Sequence, residues 1–174
     1  VKVLNEADKE VKPGEIGELT TKGDMVMRGY WKMPDETART LKHGRFFTGD
    51  LCTVDAEGYI FIKDRKKDMI ISGGFNVYPY EVESVLQEHP AIVDAAVFGI
   101  PDEKWGEAVC AQVVLGKGMS ADEEEILRFM KQNLADYKKP RKIEFVSKIP
   151  RTPTGKILKR ELRAKYWEGQ ERKV

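Results

Sequence analysis

The first 63 residues alternate short apolar segments with turn residues, a pattern that is typical of small antiparallel sheets. After an opening strand and turn over Val1–Gly14, the segments predicted as strands are Glu15–Thr21, Met25–Met27, Arg45–Phe47, Leu51–Val54 and Tyr59–Ile62. A short helix is predicted from Pro34 to about Leu41, because proline stands at its first position and acidic residues fill its first turn. These strands are too few and too short to enclose a large core alone.

From residue 69 onward, helices with one apolar face alternate with apolar strands. The predicted helices are Pro79–Gln87, a helix from a Ser120–Glu123 capping box to about Asn133, and Ile157–Tyr166. The predicted strands are Ala91–Ile100, Ala108–Leu115 and Ile143–Val146. The fold class is therefore α+β, a small body of about 105 residues with a short sheet, a hairpin and about three helices, preceded by the β-rich part.

A charged segment joins the two parts. Asp64–Asp68 is a run of five charged residues, which cannot be buried as a block without a large desolvation cost, so we expect a solvated connector. Gly73 and Gly74 permit positive φ and predict a tight turn between two short strands, where another backbone or a ligand can come close. We predict three regions, residues 1–63, a hinge at 64–68 and a second domain at 69–174.

Composition narrows the class of function. The chain has 30 basic and 29 acidic residues, so a nucleic-acid partner is not expected. No apolar run approaches the roughly 20 residues of a membrane-spanning helix, and no signal-peptide pattern is present, which favours a cytoplasmic protein without a transmembrane segment. Cys52 and Cys110 are far apart and lack metal-ligand spacing, so we expect two buried, reduced thiols and no metal site.

Three charged residues are candidates for binding anions or hydroxyl groups. Asp50 follows Thr48-Gly49 in a predicted tight turn, where its carboxylate either holds two neighbouring hydroxyls, such as those of a ribose, or satisfies its own backbone. Arg65 is either a second ribose or phosphate contact or an exposed residue of the joint. Lys156 stands in a Pro/Thr/Gly loop just before a helix, a position that favours an anion.

A strongly basic segment surrounds Lys156. Residues 138–165 carry eleven basic side chains (Lys138, Lys139, Arg141, Lys142, Lys148, Arg151, Lys156, Lys159, Arg160, Arg163, Lys165) and two acidic ones (Glu144, Glu161). Such a segment is either a solvated face or a site for a polyphosphate. Gly155-Lys156 is not a P-loop, because Pro150 and Ile157 replace the glycine and the hydroxyl residue which that motif requires.

Six motifs occur in one order along the chain. They are Gly14–Leu19 (GEIGEL), Met27–Tyr30 (MRGY), Gly44–Asp50 (GRFFTGD), Asp64–Asp68 (DRKKD), Ile71–Pro79 (ISGGFNVYP) and Pro150–Ile157 (PRTPTGKI). In this order and at this spacing they resemble the adenylate-forming enzymes, and among them the acyl-CoA synthetases, especially the fatty-acid and aryl-CoA ligases. The resemblance covers essentially the whole chain but only the C-terminal third of such an enzyme.

The resemblance implies a role for each matching residue. Asp50 and Arg65 would bind the ribose and phosphate region of ATP, and Lys67 would be the hinge position. Lys156, the catalytic residue, would bridge the substrate carboxylate and the α-phosphate. The CoA and pantetheine positions would be Gly73, Gly74, Trp105, Tyr137 and Lys139, although Trp105 is open to the alternative of plain surface packing.

The implied reaction joins a carboxylic acid, most simply a fatty acid, to CoA in two steps. The acid attacks ATP to give an acyl-adenylate and pyrophosphate, and the CoA thiol then gives acyl-CoA and AMP. ATP, CoA and Mg²⁺ are therefore implied, with Mg²⁺ held mainly by a large N-terminal domain whose motifs this chain lacks. Residues 1–63 would be the last β-rich part of that domain and residues 69–174 the mobile C-terminal domain, so this chain alone is expected to be inactive.

Two alternatives stay open. An adenylation domain of a peptide synthetase or a luciferase-like enzyme would share Asp50, Arg65 and Lys156 but pass the adenylate to another acceptor. A non-catalytic interaction module could keep the same fold, although the presence of all three residues argues against that. The sequence specifies neither the acid nor the oligomeric state, for which a dimer of the complete enzyme is one alternative.

Overall fold

A computed structural model describes residues 1–169, so the last five positions of the predicted 69–174 domain lie outside the described residues. The chain forms two compact units, with the division after Lys67. Each unit contains one five-stranded sheet, and the fold is a mixture of α and β structure, as predicted. Within residues 1–169, no helix is long and apolar enough to cross a membrane.

The first unit is a five-stranded antiparallel sheet with one short helix, α1 (Pro34–Thr40). Its strands are β1 (Lys2–Leu4), β2 (Ile16–Thr21), β3 (Leu41–Lys42), β4 (Arg45–Val54) and β5 (Ile60–Arg65). They follow the order β1-β2-β4-β3, and β5 also pairs with β4. The core is small, since it centres on the buried side chains of Val3, Val11 and Cys52, as expected for so few strands.

Two strand predictions in this unit are wrong. Met25–Met27 lies in turns instead of a strand, with Met25 95% exposed, because the segment has no strand beside it to pair with. Arg45–Phe47 and Leu51–Val54 are not two strands around a turn but parts of the single strand β4. The chain passes through Gly49 without reversing direction.

The second unit is built on a long antiparallel hairpin of β8 (Ile92–Asp102) and β9 (Gly106–Leu115). β10 (Lys142–Phe145) runs parallel to β9, while β6 (Ile70–Ser72) meets β9 at Gly106 and pairs with β7 (Phe75–Val77). Its helices are α2 (Pro79–Gln87), α3 (Glu123–Asn133) and α4 (Lys159–Ala164). The three helices and the hairpin agree with the predicted fold class.

Apolar side chains on both faces of the β8–β9 hairpin are buried. Ala95 and Val97 pack with α2 and α3 on one face, while Ala96 and Phe98 pack with Leu162 of α4 on the other. Successive residues of a strand point to opposite faces, so a hairpin covered on both sides has near-continuous apolar strands. That requirement explains the apolar runs seen in the sequence.

The predicted capping box at Ser120 is displaced by two residues. Asp122, not Ser120, is the N-cap of α3, and its carboxylate accepts a hydrogen bond from the Glu125 amide at 2.8 Å. Aspartate and serine cap equally well, so local spacing alone could not decide between them.

Both cysteines are free and buried, as predicted, and burial raises the pKa of the Cys110 thiol to about 11.

Candidate functional site

Asp50 and Arg65 lie directly opposite each other on β4 and β5. The Nε of Arg65 is 2.6 Å from Oδ1 of Asp50. The carboxylate side chain is 26% exposed and the guanidinium side chain 50% exposed, so solvent reaches both. Antiparallel pairing has therefore placed a carboxylate and a guanidinium side by side, and their roles in binding a nucleotide stay predictions.

A β-bulge, and not the predicted tight turn, presents Asp50. Gly49 has φ of +74° within β4, and the strand pairing shifts register beside it. Glu18 of β2 accepts a hydrogen bond from the Gly49 amide at 3.1 Å. The Thr48 hydroxyl donates to the Leu19 carbonyl at 2.8 Å and accepts from the Asp50 amide at 3.1 Å. These side chains satisfy the backbone groups which the bulge removes from the ladder, so the strand continues.

Residues Lys66–Asp68 form one 3₁₀ turn at the division between the units. Lys66 pairs with Glu18 of the first unit at 2.9 Å, while Asp68 pairs with Arg163 of the second unit at 3.1 Å. Each end of the turn is thus fixed to its own unit, and the exposed Lys67 lies between the two attachments. The division falls inside the predicted 64–68 joint, although Asp64–Arg65 continues β5. The role of Lys67 as a hinge stays a prediction.

Gly73, Gly74 and Trp105 form one surface in the second unit. The two glycines have φ of +60° and +83° and make the predicted two-residue turn between β6 and β7. The Gly73 amide donates to the Trp105 carbonyl at 2.9 Å. A Cβ on Gly73 would lie 2.8 Å from Cζ3 of the half-buried indole, so only glycine allows the ring to lie against the turn.

Two cations lie over the Trp105 ring. The guanidinium carbon of Arg141 is 4.6 Å from the ring centroid, and Nζ of Lys104 is 4.9 Å from it. The Arg141 amide donates to the Val109 carbonyl at 2.8 Å, which fixes its backbone at the start of β10. Arg141 was not predicted as a site residue. Only its place in the basic segment could have suggested it.

Tyr137 joins this surface, while Lys139 is already neutralised. The Tyr137 ring centroid is 4.9 Å from that of Phe75, the residue that follows the glycine turn, and both rings are at least 40% exposed. Lys139 pairs with Asp136 at 2.6 Å. We name the surface formed by the glycine turn, Phe75, Trp105, Tyr137 and Arg141 the tryptophan surface.

Lys156 stands in a loop that is closed by its own hydrogen bonds. The Thr152 amide donates to the Lys156 carbonyl at 2.8 Å, and the Thr152 hydroxyl accepts from the Lys156 amide at 3.1 Å. Arg151 donates to the Gly155 carbonyl at 2.7 Å and pairs with Asp94 of β8 at 2.6 Å. Lys156 itself is exposed and makes no ion pair with any residue of the described chain. The loop therefore presents an ammonium group without a counter-ion.

Most of the positive charge in residues 138–165 is neutralised inside the second unit. Seven of the eleven basic side chains make ion pairs, namely Lys138, Lys139, Lys142, Arg151, Lys159, Arg163 and Lys165. Several partners, such as Glu81, Glu83 and Asp94, lie outside the segment, so a local charge count could not include them. Within residues 1–169, Arg141, Lys148, Lys156 and Arg160 make no ion pair. Two of these four stand at the tryptophan surface and in the Lys156 loop.

A polar cluster ties α4 and the residues after it to β9 and β10. Glu144 accepts hydrogen bonds from Tyr166, Gln112 and Lys165 and pairs with Lys142. Burial alone would raise the pKa of Glu144, but these hydrogen bonds together lower it to about 2. Burial, and next the hydrogen bond to Glu144, raise the pKa of Tyr166. The cluster holds the segment that follows the Lys156 loop against the sheet.

The Lys156 loop and the tryptophan surface lie at opposite ends of the β8–β9 hairpin. Asp94, which holds the loop, pairs with Val114 near the open end, whereas Trp105 lies in the connection that follows Asp102 at the closed end. Asp94 and Asp102 are eight positions apart on one strand, so these ends are separated by about 25 Å at a rise of about 3.3 Å per residue. One bound molecule cannot present the same reacting atom to both ends at once.

No group of three or more His, Cys, Asp and Glu side chains in residues 1–169 could hold a metal ion. Asp50 of the first unit and Asp94 of the second are each paired with an arginine. The Mg²⁺ implied by the resemblance thus finds no ligand cluster in the described chain.

Residues 81–156 match the family described as AMP-binding enzyme C-terminal domain. Residues 81–156 therefore belong to the C-terminal domain of the AMP-binding enzymes. The match begins in α2 and ends at Lys156, so it includes Trp105, Tyr137, Lys139 and the loop. The resemblance read from the six motifs is confirmed.

Curated relatives agree with this family. The chain is 46% identical over its whole length to a medium/long-chain fatty-acid–CoA ligase of Mycobacterium tuberculosis, of which it covers 32%. It is 45% identical over 99% of its length to a fatty acid–acyl-carrier-protein ligase of Streptomyces coeruleorubidus, of which it covers 33%. The chain thus spans about a third of the length of the curated relatives it matches.

Solved structures share the fold. A crystal structure of ATP-bound MatB from Rhodopseudomonas palustris superposes with a TM-score of 0.90 at 41% identity, over 98% of this chain and 34% of that chain. This chain therefore has the fold of the matching third of a protein that has been crystallised with ATP. The roles of its individual residues stay predictions.

Proposed function

We propose that this chain is the C-terminal portion of an ATP-dependent carboxylic acid–CoA ligase that acts on fatty acids. The observation that carries the proposal is the separation within the second unit. A lysine without a counter-ion lies at one end of the β8–β9 hairpin, and an aromatic surface with a glycine turn lies at the other. A reaction with two chemically different steps needs two such surfaces.

In the first step, the carboxylate of the acid attacks the α-phosphorus of ATP, the bond to the bridging oxygen of the β-phosphate breaks, and pyrophosphate leaves. Asp50 accepts hydrogen bonds from the ribose hydroxyls, and Arg65, which is released from Asp50 when the nucleotide binds, contacts the ribose and phosphate region. Lys156 lies between the two anions and stabilises the negative charge that builds up as they meet. A single preorganised donor of this kind accelerates a reaction by about 10² to 10³.

In the second step, the CoA thiol attacks the carbonyl carbon of the acyl-adenylate, and AMP leaves. Gly74 leaves open space beside its backbone for the pantetheine chain, while Gly73 lets the Trp105 ring lie against the same turn. Trp105 and Tyr137 offer aromatic contact, and Arg141 offers a charge to the CoA phosphates. Lys139 contributes only if an anion draws it away from Asp136.

The change between the two steps is assigned to rotation about Lys67. Its two neighbours are each held by an ion pair to a different unit, so the backbone at Lys67 is the place where a rotation breaks neither attachment. Such a rotation withdraws Lys156 once the adenylate has formed and presents the tryptophan surface instead. We assign the complete enzyme to the cytoplasm.

Carboxylate-dependent exchange of labelled pyrophosphate into ATP tests the proposal, with the complete protein that contains this chain and a panel of fatty, aryl and amino acids. We expect exchange with fatty acids, followed by release of AMP and acyl-CoA when CoA is added. Exchange only with amino acids would assign the protein to the peptide synthetases. Absence of exchange with every acid would contradict the proposed activity.

The acceptor is tested in the same preparation. Formation of the thioester with CoA is compared with formation on an acyl-carrier protein, the acceptor in the name of the Streptomyces coeruleorubidus relative. The cations over Trp105 favour a polyphosphate acceptor such as CoA. A strong preference for the carrier protein would overturn that choice while leaving the adenylation step intact.

A further inference from the structure

We infer that Asp94 and Arg151 form a clamp that positions Lys156 for adenylation. Arg151 donates from one terminal nitrogen to the Gly155 carbonyl at 2.7 Å and from the other to Oδ1 of Asp94 at 2.6 Å. The first contact holds the peptide directly before Lys156. The second fixes the same guanidinium to β8, a strand of the central hairpin. The Arg151 side chain thus connects the peptide before Lys156 directly to β8.

The planar guanidinium explains why an arginine is needed here. Its fork of donors can bond a carboxylate and a carbonyl in fixed directions at the same time, whereas a lysine ammonium is a point charge on a flexible stem. Asp94 is itself held in place, because its Oδ1 also accepts from the Ala95 amide at 3.0 Å. Its side chain is 25% exposed and that of Arg151 is 38% exposed, so water competes only partly with the pair.

The base of the loop is held independently of the clamp. Ile149 is buried with Phe98 and Leu162, and Ile157 packs against the same cluster. The Leu158 amide donates to the Pro150 carbonyl at 3.0 Å and closes the base. Because the apolar residues already fix the two ends of the loop, loss of the clamp is expected to release the tip without unfolding the unit.

The clamp fixes the direction in which the tip of the Lys156 loop points. The residues of the tip, Pro153, Thr154 and Gly155, are all exposed, and Gly155 has φ of +84° with open space around it. A displacement of the lysine by about 1 Å can lower the rate of a step that depends on it by about 10²-fold. A clamp on the Gly155 carbonyl therefore controls the step that uses Lys156 and leaves the thioester step, which uses the other end of the hairpin, unaffected.

Three single variants of the complete protein test the clamp by two readouts. The first readout rests on the proposed function, and the second does not. Arg151→Met removes both contacts, Arg151→Lys keeps the charge without the fork, and Asp94→Asn weakens one contact. Lys117→Met is the control, since it removes one positive charge at an exposed position outside the loop. The first readout is pyrophosphate exchange beside thioester formation from supplied acyl-adenylate. The second is hydrogen exchange of the Gly155 and Lys156 amides.

We expect Arg151→Met to slow pyrophosphate exchange by about 10- to 100-fold, with Arg151→Lys nearly as slow and Asp94→Asn less affected. Thioester formation should stay within about twofold of the wild type in all of them. A variant with both Arg151→Met and Asp94→Asn should be no slower than Arg151→Met alone, since both changes break one connection. The two loop amides should exchange hydrogen faster in Arg151→Met than in Lys117→Met.

Three results would overturn the inference. The first is an equal rate of pyrophosphate exchange in Arg151→Met and Lys117→Met. The second is a wild-type rate of pyrophosphate exchange in Arg151→Lys, and the third is an equal loss of both half-reactions in Arg151→Met. If the wild-type protein adenylates no acid, the proposed function fails, but hydrogen exchange of the loop amides still decides whether Arg151 orders the residues around Lys156. An unchanged rate of hydrogen exchange at the Gly155 and Lys156 amides in Arg151→Met would then refute the clamp.

Discussion

The two ends of the β8–β9 hairpin are built in opposite ways. At the open end, a loop closed by two hydrogen bonds between Thr152 and Lys156 presents the Lys156 ammonium group, which has no counter-ion in the described chain. At the closed end, the indole of Trp105 lies against Gly73 and beneath Arg141. One end presents charge on an exposed tip, and the other presents an aromatic ring held from several sides.

The difference supports the proposal that one small unit serves two reactions. An exposed ammonium suits a step in which two anions must meet, whereas a ring beside a glycine turn suits recognition of a long, partly flat molecule. The rigid hairpin keeps the two about 25 Å apart by strand length alone. Changes at one end should therefore leave the chemistry of the other end unaltered.

The largest effect is expected for Lys156→Ala. Under the proposed function it removes the charge that stabilises the meeting of carboxylate and α-phosphate, so pyrophosphate exchange should fall by about 10² to 10³. The measurement is the rate of fatty-acid-dependent exchange in the complete protein. Lys117→Ala, which removes an exposed positive charge elsewhere in the second unit, should keep the wild-type rate, and an equal loss in both variants would refute a specific role for Lys156.

Truncation of Trp105 should have the opposite effect, impairing the step that uses CoA and sparing adenylation. Trp105→Ala is expected to raise the KM for CoA by about tenfold or more, because stacking of a base on an aromatic ring contributes about 1 to 3 kcal/mol. Pyrophosphate exchange should stay unchanged. Trp31→Ala, at a tryptophan of the first unit that is 85% exposed, is the control. If Trp105→Ala leaves the KM for CoA unaltered, Trp105 is a surface-packing residue and not part of the CoA site.

The two glycines of the turn should respond differently to alanine. Both have positive φ, so either substitution strains the backbone by about 1 kcal/mol or more. At Gly73 the new Cβ also displaces the Trp105 ring, which adds about 1 to 3 kcal/mol, while the space at Gly74 is open. Urea unfolding should show Gly73→Ala as clearly the less stable variant. Equal destabilisation would mean that the indole moves away without cost.

The smallest effect concerns acid stability. The pKa of Glu144 is lowered from 4.5 to about 2, so its contribution to the free energy of unfolding is present above pH 4.5 and is lost as the pH falls toward 2. Between pH 5 and 3 the wild type should lose about 1 to 2 kcal/mol from this group, after allowance for solvent screening. Glu144→Gln should lack this part of the pH dependence, whereas Glu161→Gln, at an exposed position of α4, should keep it.

The sequence predicted most elements of the fold because their cues are local. Proline at the first helical position located α1, an apolar face located α2, and two consecutive glycines located the turn at Gly73. The bulge at Gly49 was not predictable, since it depends on Glu18 from another strand. The positive charge left without a partner in residues 138–165 was overestimated for the same reason. Partners such as Glu83 and Asp94 approach this segment only in the folded chain.

The candidate site shows the same limit. Motif resemblance pointed to Asp50, Arg65 and Lys156 individually, and pairing of β4 with β5 is what places Asp50 against Arg65. Arg141 and Asp94 carry no motif of their own. The contact of Arg141 with Trp105 arises from the register of β10 against β9, and that of Asp94 with Arg151 from the register of β8 against β9. Sequence spacing specifies neither register.

The most direct test supplies the Lys156→Ala protein with ready-made acyl-adenylate and measures thioester formation with CoA. If the two ends of the hairpin serve separate steps, this variant should form acyl-CoA at a rate within about twofold of the wild type, because Lys156 acts only before the adenylate exists. A loss of thioester formation as large as its loss of pyrophosphate exchange would contradict the assignment of the two steps to two surfaces.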